Sequence, residues 1–122
     1  MTAPHSRLLA VAVDAADPHA LASFWAAALG AEVGEPWTDA HGTTYVAVPL
    51  SGGTELLFQP VDDERVGKNR VHLDLAAVDT TRDAEVERLT ALGARVLDLA
   101  PDHPWIVMAD PEGNEFCVLD PR

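Results

Sequence analysis

Asn69-Arg70-Val71-His72-Leu73-Asp74-Leu75 alternates strictly between polar and apolar side chains. Successive side chains on a strand point to opposite faces, so Val71, Leu73 and Leu75 share one face and Arg70, His72 and Asp74 share the other. An apolar face of this kind packs under a helix. A cation, an imidazole and a carboxylate on the back of the same strand suit a pocket wall. The stretch is therefore predicted as the start of a core strand over 70–78 whose back lines a binding site.

The segments downstream of this strand repeat those that open the chain. Thr80-Thr81-Arg82-Asp83 resembles a capping box. Val86, Leu89 and Leu92 then mark the buried side of a helix that Gly93 ends. Further strands are predicted over 94–97, 105–109 and 115–119, with a loop at Pro101–Pro104 and a turn at Asp110-Pro111-Glu112-Gly113-Asn114. Upstream, a strand over 8–13 leads to Asp17-Pro18, a cap with proline at the first helical position. Leu21, Phe24, Trp25, Ala28 and Leu29 form the apolar stripe of the helix, and Gly30 closes it. Strands over 31–35, 43–48 and 54–59 complete the first half.

Local similarity supports a duplication. Leu29-Gly30-Ala31-Glu32-Val33 aligns with Leu92-Gly93-Ala94-Arg95-Val96, and residues 10–17 align with 72–79. The same spacing sets Glu55 against Cys117. The predicted fold is α+β: two βαβββ modules, 7–60 and 69–122, joined by a polar connector at 61–68 and related by a pseudo-twofold. Eight curled strands would surround a cleft, with two helices outside. A ferredoxin-like sandwich would leave at least three of these strands unused.

Composition limits the function. The 122 residues are enough for one domain, and 48% are apolar. The net charge of −12, from 20 acidic and 8 basic residues, disfavours nucleic acid and anionic membrane surfaces. No apolar run reaches the roughly 20 residues a spanning helix needs. One cysteine, Cys117, excludes an internal disulfide and fits a reducing, cytoplasmic compartment. The N-terminal residues carry no apolar signal core.

Under the pseudo-twofold, Ala10, His72, Glu55 and Cys117 all point into the cleft. Residues 17–30, Lys68-Asn69-Arg70-Val71-His72-Leu73-Asp74-Leu75 and Asp110-Pro111-Glu112-Gly113-Asn114-Glu115-Phe116 together resemble the vicinal-oxygen-chelate superfamily, the glyoxalase, bleomycin-resistance and extradiol-dioxygenase fold. The likeness is to the small glyoxalase-like proteins of the actinobacterial type. It implies a homodimer and, in metal-using members, a divalent ion held at four strand positions, here Ala10, Glu55, His72 and Cys117. Ala10 has no donor atom, and Cys117 stands where a carboxylate is usual. Glu55, His72 and a Cys117 thiolate would favour zinc over harder divalent ions.

The plainer assignments are a pocket-lining His72 bonded to Asp74 and a Cys117 that packs as a small apolar group. Arg70 would pair with Asp74 or an anionic ligand, while Trp37 and Trp105 would wall the cleft. Glu55 and Glu115 are the candidate bases. His5, His19, His41 and His103 are predicted in solvent. Two functions are expected from these residues. One is a small-molecule-binding protein that takes an apolar or aromatic ligand without a complete metal site. The alternative is a metal-dependent lyase, isomerase or dioxygenase acting on vicinal oxygens.

Overall fold

The computed structural model describes residues 6–63, 66–99 and 102–122. His5, Glu64 and Arg65 of the connector, and Pro101 of the predicted loop lie outside the described residues. Among the described residues there are two helices and eight strands, divided between a first unit, Met1–Asp62, and a second, Asp63–Arg122. Each unit carries one four-stranded mixed sheet, and neither sheet closes into a barrel. The α+β class and the doubled βαβββ order agree with the sequence reading.

In the first unit, β1 (Ala10–Ala15), α1 (Pro18–Leu29), β2 (Trp37–Thr38), β3 (Thr44–Pro49) and β4 (Glu55–Pro60) succeed one another. The sheet order is β1-β4-β3-β2, with β1 and β4 parallel. Asp17 caps α1 by accepting from Ala20 N at 3.1 Å, and Gly30 ends it in the left-handed region at φ +65°. Leu21, Phe24 and Trp25 are buried with Val46, Val48, Leu56 and Phe58, so the predicted stripe and the Leu56/Phe58 face form one core. Phe24 and Trp25 meet edge to face at 5.3 Å. The strand predicted over 31–35 is absent. Gly34 N donates to Ala47 O at 2.8 Å, but Pro36 has no N–H to extend a ladder, and pairing resumes only at Trp37.

In the second unit, β5 (Leu73–Ala76), α2 (Arg82–Leu92), β6 (Arg95–Asp98), β7 (Ile106–Ala109) and β8 (Glu115–Leu119) form the order β5-β8-β7-β6. Val86, Leu89, Ile106, Met108, Phe116 and Val118 make the core. Leu92, predicted inside, is exposed at the C-terminal end of α2. Thr81 is the cap, accepting from Ala84 N at 3.1 Å. Ala84 occupies the position where a capping box needs a carboxylate, so only half of that motif forms. β5 also starts later than predicted: its ladder to β8 begins at Leu73↔Phe116, and Val71 lies outside it, largely exposed.

The ladders revise the internal alignment. The β3–β4 hairpin closes at Pro49↔Glu55 and the β7–β8 hairpin at Ala109↔Glu115. Each encloses a loop of five residues, so Glu55 corresponds to Glu115 and Leu57 to Cys117. The spacing between copies is 60 residues at these hairpins but 62 at the first strands, where Ala10 matches His72. A single spacing carried along the whole chain therefore misplaces the counterpart of Cys117 by one strand repeat.

Candidate functional site

One row of residues crosses the second unit's sheet. Asp74 on β5 pairs with Cys117 on β8, and Cys117 pairs with Val107 on β7. Paired residues share a face, so this row forms the floor of a pocket of about 390 Å³. Glu115 and Leu119, two residues either side of Cys117, continue the same face. Trp105, Lys68 and His72 complete the lining. Trp105, Val107 and Leu119 make an apolar wall, against which the polar groups are few and grouped.

The polar wall has a defined order. His72 Nδ1 lies 3.1 Å from Asp74 Oδ1. The Cys117 thiol, buried at 9% exposure, donates to the same carboxylate. Burial raises the thiol's pKa, the Asp74 charge and hydrogen bond raise it further, and Lys68 opposes them weakly. A triad-type cysteine nucleophile has an imidazole at its sulfur and a carboxylate behind the imidazole. Here the carboxylate stands between the two, which favours the thiol over the thiolate. The arrangement is thus unsuited to nucleophilic catalysis. It does bring an imidazole nitrogen, a carboxylate oxygen and a sulfur within 4.8 Å of one another, a donor set that fits a divalent metal.

Asn69 fixes the approach to this wall. Its backbone N donates to Glu115 Oε2 at 3.0 Å, and its side chain accepts from Glu115 N at 3.2 Å and donates to Asn114 Oδ1 at 3.0 Å. Asn114 is in turn held by Asp110, which is buried. The Glu115 carboxylate therefore has a positioning bond, which does not suit it to act as a free base. Trp105 is stacked on His103, with ring centroids 4.5 Å apart and planes at 7°. His103 is exposed, as predicted, and its ring backs Trp105.

The other predicted site residues are not among those that line this pocket. Arg70 is exposed and outside the pocket lining. Glu55 lies on β4 opposite Ala10, and Trp37 on β2 stacks on Tyr45 at 4.5 Å, both in the first unit. Lys68, Val107 and Leu119 line the pocket and are not among the residues predicted there. Val107 and Leu119 carry a period-two signal, since each lies two residues from a predicted lining residue. Lys68 is in irregular chain and has no such signal.

The glyoxalase-like domain family model matches residues 10–119. No curated protein sequence matches the chain. Among solved structures, the fosfomycin resistance protein FosX from Listeria monocytogenes aligns with TM-score 0.73 at 16% identity, covering 98% of this chain and 94% of FosX. Glyoxalase I from Leishmania major aligns with TM-score 0.69 at 15% identity, over 94% and 86% of the two chains. A glyoxalase/bleomycin resistance protein/dioxygenase family enzyme from Burkholderia phytofirmans aligns with TM-score 0.67 at 20% identity, over 94% and 98%. At these identities the likeness is one of fold. With the family model spanning nearly the whole sequence, the chain belongs to the glyoxalase-like domain family of the vicinal-oxygen-chelate superfamily.

Proposed function

We propose that the chain is a small-molecule-binding protein that takes a compact, flat, largely apolar ligand in the pocket of the second unit. The observation that carries this is the division of that pocket. Trp105, Val107 and Leu119 offer an apolar wall, and His72, Asp74 and Lys68 offer a few hydrogen-bonding groups. Two carboxylates, Asp74 and Glu115, face one ammonium, Lys68, in the lining. This balance favours a neutral or cationic ligand with hydrogen-bond donors over an anion. Because Trp105 is already stacked on His103, its ring is ordered before a ligand arrives and less entropy is lost on binding.

Titration of chelator-treated protein with indole tests this, read by calorimetry. Saturable binding is the expected result, weakened about tenfold in Trp105→Ala because an aromatic contact contributes roughly 0.5–1.5 kcal/mol beyond its buried area. Equal affinity in wild type and Trp105→Ala would overturn the assignment.

A second reading is favoured by the His72, Asp74 and Cys117 donor group. It is a divalent-metal-dependent lyase, isomerase or dioxygenase. FosX is known in a complex with Mn(II) and sulfate, which supports metal use within this fold. A metal held here would polarise vicinal substrate oxygens as a Lewis acid. Trp105 and Val107 would seat the apolar part of the substrate, and Asn69 would hold Glu115 at the rim. Family resemblance also supports a homodimer, and the single cysteine a cytoplasmic setting. Among the described residues, no helix is long and apolar enough to cross a membrane.

A further inference from the structure

We propose that His72, Asp74 and Cys117 form a zinc site contained wholly in the second unit, with Asp74 as its third protein ligand. The proposal rests on the metal-dependent reading above and deepens it by naming the ion and the ligand set. The family resemblance implies donors from both copies of the repeat. In this chain Ala10, the counterpart of His72, has no donor atom. The hairpin register makes Leu57 the counterpart of Cys117, and it has none either. The first unit therefore offers nothing at either equivalent position.

Asp74 is a donor that only the second copy carries at this position. Its counterpart two residues beyond Ala10 is Ala12. Strand alternation places Asp74 on the face of His72, and the β5–β8 ladder places it directly beside Cys117. His72 Nδ1 and Asp74 Oδ1 are 3.1 Å apart. Adjacent donors on a tetrahedral ion with bonds of about 2.0–2.3 Å are separated by roughly 3.3–3.7 Å. The three groups thus need only small side-chain adjustments to share an ion. His72 and Asp74 are 44% and 59% exposed at their side chains, which leaves them free to make such adjustments. A sulfur, an imidazole nitrogen and one carboxylate oxygen select zinc over magnesium or manganese, which prefer all-oxygen shells.

The test is Co(II) titration of the full-length, chelator-treated protein, followed by its thiolate-to-cobalt charge-transfer absorption and then by zinc displacement. The expected result is one ion per chain, with the band lost in Cys117→Ser. His72→Ala and Asp74→Asn should bind at least about 10- to 100-fold more weakly, since loss of even an outer-shell partner costs that much. Glu55→Gln should bind as wild type does. Metal-free melting curves of the His72 and Asp74 variants should match wild type, which separates ligand loss from misfolding. A charge-transfer band with undiminished affinity in Asp74→Asn, or equal weakening in Glu55→Gln, would overturn the one-unit site and leave the metal-dependent reading standing. Failure of the wild type to take up cobalt or zinc would overturn both.

Discussion

Asp74 is the common partner of His72 and Cys117: its Oδ1 lies 3.1 Å from His72 Nδ1, and its carboxylate also accepts from the Cys117 thiol. Strand geometry alone makes this possible. His72 and Asp74 are two residues apart and project to one side, while Asp74 and Cys117 are paired across parallel strands. The carboxylate therefore orients the imidazole and suppresses ionisation of the thiol at the same time.

This relationship predicts how Cys117 reacts. Burial first, and then the Asp74 charge and hydrogen bond, hold its pKa above the ordinary thiol range. Alkylation by iodoacetamide should be slow at neutral pH and rise only above that range, because the thiolate is the nucleophile. Asp74→Asn should move the rise to lower pH. A group whose pKa is raised by folding stabilises the native state below its unfolded pKa, here the ordinary thiol value. That contribution falls away as pH climbs through the folded value. Urea midpoints should therefore drop on the alkaline side, and less so in Cys117→Ser. An alkylation profile centred at or below the free-thiol value would contradict the arrangement.

Asn69 should matter for both stability and binding. Asn69→Ala removes the acceptor for Glu115 N and the donor to Asn114 Oδ1, both part-buried. Leaving such groups unsatisfied costs about 1–2 kcal/mol, read as a lower urea midpoint at unchanged slope. Since His72 lies only three residues beyond Asn69, ligand affinity should fall along with stability. A variant that loses stability while keeping wild-type affinity would show that the approach to β5 is fixed by other contacts.

These two residues also mark how far the sequence can be read. Asp74 is visible because alternation and burial act on the same strand, and any period-two stretch reveals its faces. Asn69 is not, because its partners Asn114 and Glu115 are 45 and 46 residues away and meet it only through the sheet. The same limit explains the counterpart of Cys117. Alternation does not distinguish registers that differ by two, so Glu55 and Leu57 are equally consistent with the pattern. Only the closed hairpins decide between them. Three of the four helix ends are legible to the residue because Asp17, Gly30 and Gly93 act on the backbone next to them, whereas the cap of α2 falls on Thr81, one residue beyond the Thr80 that a capping box with Asp83 requires. The strand over 31–35 fails where one proline, Pro36, outweighs a weak apolar signal.

Gly30 gives a direct measure of such local control. It holds φ at +65°, and an added Cβ would meet nothing within 4 Å. Gly30→Ala should cost about 1 kcal/mol from backbone conformation alone. Gly30→Asn should cost less, since asparagine tolerates this region better. Equal urea midpoints for all three proteins would mean that the C-terminus of α1 relaxes out of the left-handed conformation without penalty.

Asp110 carries the β7–β8 turn and, through Asn114, the Asn69 contact. It is 2% exposed, and its Oδ1 accepts from Glu112 N at 2.9 Å and Asn114 N at 3.0 Å, while Oδ2 accepts from Asn114 Nδ2 at 2.9 Å. Asp110→Ala strips the partners from several part-buried N–H groups at once. Hydrogen bonds to a charged acceptor contribute about 1.5–3 kcal/mol each and are not additive within one network, so a loss of about 3 kcal/mol is expected by urea denaturation. Asp110→Asn keeps one acceptor oxygen for the two backbone donors but turns an NH₂ toward Asn114 Nδ2, so its loss should be roughly half as large. Because Asn114 then loses its anchor, Asn69→Ala introduced into Asp110→Ala should cost less than it does in wild type. Full additivity of the two substitutions would show that the turn and the pocket rim are held independently, with Gly113 at φ +88° sufficient to close the hairpin.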